Sequence, residues 1–436
     1  MTHILDELQR RGLVAQSTDD AVLRDALASG PVTFYCGFDP TAPSLHHGHL
    51  VQLIVMRHLQ VAGHRPIALV GGATGLIGDP RMSGERTLND KETVASWTER
   101  LKEQISRFLD FGGANPAQMV NNLDWTSGLS AIDFLRDVGK HYRLGTMLAK
   151  DTVARRLASD QGISFTEFSY QILQGLDFLE LRRRYDCTLQ TGGNDQWGNL
   201  LSGVELIRKV EGRSVHALTT PLVTKSDGTK FGKTEGGAVW LDAALMSPYA
   251  FYQFWLNTDD ADVAGYLRIF TFLPHARIEE LAAAVRDRPA AREAQRALAD
   301  EVTTLVHGPE ASRRVWQASQ ALFGRAPLAE LDERTVAEAV AELPSAPVRP
   351  GEDSVLDLLV ATGLTPGIGA ARRTIGEGGA YLNNAKVTDL GRVVTESDLI
   401  AGRWALLRRG RRTLAVVDAA AGRGLGEPPA DAGGDG

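Results

Sequence analysis

The spacing of apolar and polar positions changes along the chain, and the changes divide it. In the first third, short apolar runs alternate with longer stretches whose apolar residues recur every three or four positions. Val32 to Phe38 and Pro66 to Val70 have the make-up of buried strands, and Ala117 to Val120 of a shorter one. His49 to Val61 and Asn89 to Phe111 carry the helical period. Phe165 to Tyr185 predicts a long helix, Cys187 to Gln190 a strand, and Asn199 to Val210 another helix. Strands that alternate with helices predict a parallel sheet covered on its faces. Ligands of such sheets sit beyond the carboxyl ends of the strands. Gly37-Phe38-Asp39-Pro40, Gly71-Gly72 and Gly192-Gly193-Asn194 fall where those strands are predicted to end.

From Ser247 to about Leu343 the texture shifts to Ala-, Glu- and Arg-rich helical patterns with few strand signals. Pro344-Ser345-Ala346-Pro347 and Pro350-Gly351 read as a linker. Ser354 to about Val417 has the pattern of a small α+β module, and the chain after it has almost nothing to bury. The expected organisation is α/β, with a Rossmann-like parallel-sheet domain over 1–245 and an all-helical domain over 246–345. A linker over 346–353, an α+β module over 354–418 and a disordered tail over 419–436 complete it. No internal repeat is visible.

Composition narrows the class. The chain has 436 residues, 43% hydrophobic and 23% charged, which is ordinary for a soluble globular protein. No apolar run approaches a membrane span and Met1 to Leu13 lacks a signal-peptide core, which predicts a cytoplasmic protein with no membrane partner. Cys36 and Cys187, the two cysteines, exclude a disulfide framework or a cysteine-rich zinc site and are expected to be reduced. Net charge is −7, but Ser354 to Ala415 holds nine Lys/Arg against five Asp/Glu. That segment is +4 and the rest of the chain −11. A basic end on an acidic body suggests one module that binds a polyanion.

Four constellations carry chemistry. In Tyr35-Cys36-Gly37-Phe38-Asp39-Pro40-Thr41-Ala42-Pro43-Ser44-Leu45-His46-His47-Gly48-His49, a strand ends at a turn and a helix starts near Gly48. A helix N-terminus binds phosphate through its backbone N–H groups, Gly48 leaves room for a nucleotide, and His46 and His49 supply donors. A metal site on His46, His47 and His49 lacks a supporting ligand set, so no metal is expected. Lys225-Ser226-Asp227-Gly228-Thr229-Lys230-Phe231-Gly232-Lys233-Thr234 resembles a P-loop but has three residues between its glycines where that motif needs four. It is either a solvated loop or a polyphosphate clamp. Tyr170, Gln174 and Asp177 lie on one helical face, a costly surface to bury without a polar ligand. Gly192 to Asn199 places Asp195 and Gln196 between a strand and a helix, as a capped turn or as contacts to a ribose or carboxylate.

Together these segments resemble the class I aminoacyl-tRNA synthetases, and closely the bacterial tyrosyl-tRNA synthetase family. The resemblance covers nearly all of the chain before the tail. His46-His47-Gly48-His49 matches the HIGH signature, and Lys230-Phe231-Gly232-Lys233-Thr234 matches KMSKS in its tyrosyl-enzyme form. Tyr35 to Pro40, Gly71 to Pro80 and Gly193 to Asn199 are similar to segments specific to the family. Ala371-Arg372-Arg373 and Gly379-Ala380-Tyr381-Leu382-Asn383 resemble an S4-type RNA-binding module.

The resemblance implies activation of L-tyrosine by ATP with Mg2+, transfer to the 3′-terminal adenosine of tRNA(Tyr), a homodimer, and no tightly bound cofactor. It implies that Tyr35 and Asp177 hold the phenol, that Asp79, Tyr170 and Gln174 hold the ammonium group, and that Gln196 meets the carboxylate region. Cys36 and Asp195 would contact ribose, with Gly37, Asp39, Gly48 and Gly193 also lining the ATP site. Thr41, His46 and His49 would meet the phosphates and ribose in the transition state, and Lys230 and Lys233 the leaving pyrophosphate. Arg372, Arg373 and Lys386 would face RNA.

Two departures stand out. His47 occupies a place usually apolar in the family and is assigned no role. The loop Asp79 to Arg86 is shorter and lacks a lysine, which leaves Arg86 as the cation expected at pyrophosphate. A metabolite-adenylylating HxGH nucleotidyltransferase, an idle RNA-binding relative and a tryptophanyl-type enzyme are the rival readings. The first two would not need the intact set of His46, His49, Lys230 and Lys233 together with a basic module. The third would not need both Tyr35 and Asp177 at a phenol.

Overall fold

The structure, a computed structural model, describes residues 3–81, 84, 87–160, 162–229, 231–234, 237–322, 326–328, 331, 333–341, 343–410 and 413–423. Contacts group the chain into two compact units, Met1–Met246 with Trp255–Val306, and Ser247–Phe254 with His307–Gly436.

The first unit is built on a six-stranded sheet of β1 (Gln16–Ser17), β2 (Thr33–Phe38), β3 (Arg65–Val70), β4 (Gln118–Asn121), β5 (Cys187–Gly193) and β6 (His216–Thr220). Their order is β1-β6-β5-β2-β3-β4, parallel except for the short edge strand β1. The chain leaves β2 toward β3 and β4, then returns to add β5 on the other side. The point where strand order reverses therefore lies between β2 and β5, and that is where an open α/β sheet leaves a crevice. β2 is buried on both faces. Cys36 meets Gln52 of the His47–Val61 helix, while Tyr35 on the other face packs on Phe178 of the Phe165–Tyr185 helix. Only Gly37 within β2 is exposed, at the carboxyl end over the crevice.

The long helix has the bounds its apolar period predicts, with Ser164 as N-cap and Asp186 ending it in the left-handed region. The Asn89 to Phe111 prediction runs long: the helix is Lys91–Ile105, opened by the Asp90 cap. Two short strands, β7 (Lys233–Thr234) and β8 (Gly237–Ala238), pair as a hairpin further on.

The second unit contains β9 (Ser345–Pro347), β10 (Ala380–Leu382), β11 (Ala385–Lys386), β12 (Trp404–Arg409) and β13 (Thr413–Asp418). They form one sheet ordered β11-β10-β12-β13-β9. Alternate residues of β12 and β13 enter two cores. Ala405, Leu407, Ala415 and Val417 pack with Leu358, Leu359, Ala371 and Ile375. Trp404, Leu406, Leu414 and Val416 pack with Ala318, Leu322, Val336 and Val340.

This differs from the expected organisation in three places. The helices expected to form a domain over 246–345 are divided, Trp255–Val306 grouping with the first unit and Ser247–Phe254 and the chain from His307 with the second, because contacts between distant segments set the units. The Pro-rich stretch read as the start of a linker is strand β9, followed by the fully buried Val348. Pro347 is tolerated because β9 is an edge strand and needs few ladder donors. Ala419–Arg423 is helical with Ala419 buried, where a disordered tail was expected. Residues 424–436 lie outside the described residues. Among the described residues no helix is long and apolar enough to cross a membrane.

Candidate active site

Beyond the carboxyl ends of β2, β3 and β4, against the long helix, lies a connected set of polar side chains. Asp177, on the long helix, is 3% exposed and accepts from Trp125 Nε1 at 2.9 Å and from Asn122 Nδ2 at 3.0 Å. Asn122 Nδ2 also lies 2.9 Å from Thr74 Oγ1, and Thr74 donates to Asp39 Oδ1 at 2.6 Å. The other Asp39 oxygen accepts from the Tyr170 phenol at 2.6 Å. Burial pushes the Asp177 carboxyl up to about 7, against the pull of its two donors. Burial, and then the charge of Asp177, push the Tyr35 phenol well above its usual range. The Tyr35 hydroxyl is fully buried and has no hydrogen-bond partner among the described residues. The same holds for the side-chain oxygens of Gln174 and of Gln190, which lies beside Tyr35 on β5. Buried polar groups left open in a folded protein mark a place where a ligand completes the bonding.

A second cluster lies at the end of β5. Asp79 accepts from Gln196 Nε2 at 2.9 Å and from Asn199 Nδ2 at 3.0 Å. Lys150 donates to Asn199 Oδ1 at 3.1 Å, and burial lowers its ammonium to about 8 although Asp79 opposes the shift. Asp195 is exposed and Gly193 opens the short turn before it. The backbone after Asp79 is held by Arg156, which is 2% exposed. It donates to the Arg81 carbonyl at 2.6 Å and pairs with buried Glu167 at 2.7 Å. Arg86 lies outside the described residues. Cys36 is 2% exposed with its Sγ 3.9 Å from Gln52 Oε1, and burial pushes its thiol up to about 12.

The histidine motif opens the His47–Val61 helix. His46 is the N-cap, and its Nδ1 accepts from the Gly48 N–H at 3.1 Å. The His46 N–H donates to His49 Nδ1 at 3.2 Å, and the two rings stack at 4.0 Å. Each Nδ1 is an acceptor, so each neutral ring carries its proton on Nε2 and keeps that donor for another partner. Burial lowers the pKa of both rings, that of His49 well below the histidine range. They are neutral donors at pH 7. Gly48 lacks the Cβ that would press on the His46 ring at 2.9 Å. Thr41 is exposed, its N–H bonded to the Asp39 carbonyl at 2.8 Å. Lys230 lies outside the described residues. Lys233 starts β7, and only its backbone is described.

In the second unit, Arg372 and Arg373 are exposed on the Ile368–Gly376 helix and Lys386 is exposed on β11. The β10–β11 hairpin turns at Asn383 and Asn384, both at positive φ, and Arg408 stacks on Tyr381 at 3.9 Å.

Comparison with known proteins decides the family. Residues 27–324 match the model of class I tRNA synthetases (W and Y). The chain belongs to the class I tRNA synthetases. Residues 335–417 match the tyrosine–tRNA ligase SYY-like C-terminal domain. The tyrosine–tRNA ligase of Streptomyces coelicolor is 63% identical over 420 residues, 96% of this chain and 99% of that one. That of Acidothermus cellulolyticus is 62% identical over 96% of this chain and its whole length. A C-terminally truncated mitochondrial tyrosyl-tRNA synthetase from Coccidioides posadasii superposes with a TM-score of 0.65 at 33% identity, covering 72% of this chain and 91% of that one.

Like other class I synthetases, this one uses ATP as a substrate. Several residues of its site escaped the sequence reading. Asn122 and Thr74 follow the ends of β4 and β3, so the rule that ligands gather at strand ends could have flagged them. The same rule covers Trp125, four residues after β4, and Gln190, the end of the strand predicted from Cys187, whereas Lys150 had no such signal and only the fold brings it to the site.

Proposed function

We propose that this synthetase is a tyrosine–tRNA ligase that selects its substrate through Tyr35 and Asp177. The observation that carries this is a fully buried phenol with no hydrogen-bond partner among the described residues, beside a buried carboxylate. A substrate hydroxyl completes that arrangement, and an analogue without one leaves it unpaired, a rule this family itself illustrates. Asp79, Tyr170 and Gln174 take the ammonium group, and Gln196 the carboxylate side. Asp39 does so indirectly, by fixing the Tyr170 hydroxyl.

The reaction needs no protein nucleophile. A carboxylate oxygen of tyrosine attacks the α-phosphorus of Mg2+-bound ATP in line, and the bond to the bridging oxygen breaks to release pyrophosphate. The terminal adenosine hydroxyl of tRNA(Tyr) then attacks the activated carbonyl, and AMP leaves. Neutral His46 and His49 donate through Nε2 to oxygens that gain charge, with Thr41 beside them and Lys230, Lys233 and Arg86 at pyrophosphate. Cys36 and Asp195 serve the ribose, where Gly37, Gly48 and Gly193 leave room. Arg372, Arg373 and Lys386 present cations to RNA phosphates.

The same reading makes the protein a cytoplasmic homodimer. Among the described residues, seven of the seventeen exposed large apolar side chains fall between Leu123 and Phe165. Exposed apolar side chains of this kind are surface that a second protomer can cover. ATP–pyrophosphate exchange with each of the twenty amino acids tests the assignment. Exchange should be strong with tyrosine alone, and preferential exchange with tryptophan or phenylalanine would overturn it.

A further inference from the structure

His47 has no place in the chemistry above, yet its surroundings are unusually specific. Its backbone N–H donates to the Val239 carbonyl at 3.0 Å, and the adjacent His46 bridges to Trp240. The start of the histidine helix is thus tied to the chain just beyond the 230–234 signature. The His47 ring meets Phe231 edge-on at 5.2 Å. Gly232, at φ +78°, passes so close that a Cβ there would collide with the imidazole. The ring also donates to the Phe231 backbone carbonyl. Its Nδ1 is buried without a partner among the described residues, so that bond comes from Nε2–H. Phe231 is anchored on its far side by Tyr266, Trp255 and Phe270 at 4.5–5.7 Å.

We infer that His47 is a positioning residue that fastens the Phe231-Gly232 backbone to the histidine helix, and so sets where the two signature lysines stand relative to His46 and His49. An apolar side chain would fill the space with no orphaned nitrogen. What the imidazole adds is the bond to Phe231, at the residue between the lysines' own positions and the one glycine that lets the ring approach. Burial holds the ring neutral, down to a pKa of about 4, so near neutral pH its one ring proton is the one on Nε2. The inference rests on the reading that Lys230 and Lys233 act on pyrophosphate.

The test is ATP–pyrophosphate exchange with His47→Leu, His47→Gln, Lys233→Ala and the double variant His47→Leu with Lys233→Ala, with thermal melting as a check on folding. His47→Leu should lower kcat about two- to tenfold, the range of one net hydrogen bond, with tyrosine KM unchanged. His47→Gln, which keeps a donor, should recover most of the rate. In the Lys233→Ala background the His47→Leu loss should largely vanish, because the group it positions is gone. A wild-type kcat in His47→Leu beside a slow Lys233→Ala would overturn the inference alone. So would full additivity, or a rise in tyrosine KM that matches the fall in kcat. An unchanged kcat in Lys233→Ala would overturn the lysine reading and the inference with it.

Discussion

In the amino-acid pocket, polar side chains bind one another. Asp177, Asn122, Thr74, Asp39 and Tyr170 form one hydrogen-bonded chain across four segments of the fold. At the phosphate motifs, side chains bind backbone. His46 and His49 cap a helix, and His47 holds a carbonyl of a neighbouring loop. The difference follows from the two tasks. Telling one amino acid from another requires buried groups that are costly to leave unpaired, and these must be fixed before the substrate arrives. Stabilising charge that appears only in the transition state requires donors whose far ends stay available.

The largest effect expected is in the pocket. Asp177→Ala strands the Trp125 and Asn122 donors in a buried site, at ~1–3 kcal/mol each, and removes the acceptor for the substrate hydroxyl. kcat/KM for tyrosine should fall on the order of 10²- to 10³-fold. A fall under about tenfold would mean that the network is not the source of selection.

Tyr35→Phe removes one hydroxyl and keeps the ring on Phe178. Tyrosine/phenylalanine discrimination should drop about tenfold, the size of one neutral hydrogen bond. Equal losses for the two amino acids would show that Tyr35 does not read the hydroxyl.

The smallest effect separates the regions by pH. The Asp177 carboxyl sits at about 7, so the ionised acceptor is lost as pH falls through that value. Burial lowers the pKa of both signature rings, that of His49 well below the histidine range, so neither gains charge as pH rises. kcat/KM for tyrosine should therefore rise a few-fold between about pH 6 and 8, and Asp177→Asn should flatten that rise. A rise that survives in Asp177→Asn would assign the titration elsewhere.

The expected division at 354 illustrates how far local patterns carry. The sequence shows a basic α+β segment there, and the sheet and its helices exist. Yet Trp404, Leu406, Leu414 and Val416 turn their faces to Leu322 and Val336, so removing the chain from Ser354 onward would uncover that core. The pattern of a small α+β module is local, and it does not tell that each face of β12 has a helical partner. Likewise, Tyr170, Gln174 and Asp177 were legible as a polar stripe on one helix because 3.6-residue periodicity is local. The partners of that stripe, Asn122 and Trp125, lie more than fifty positions away.

The sequence by itself determined the alternating strands and helices, the long helix over Phe165–Tyr185, the two signature motifs and the basic end, because each depends on neighbours within a few residues. Tertiary structure decided the rest. It placed Pro347 in an edge strand, left the Tyr35 hydroxyl without a partner among the described residues, raised the Asp177 carboxyl, and set His47 against Gly232. Each of these depends on burial or on a contact between distant segments, and neither exists until the chain has folded.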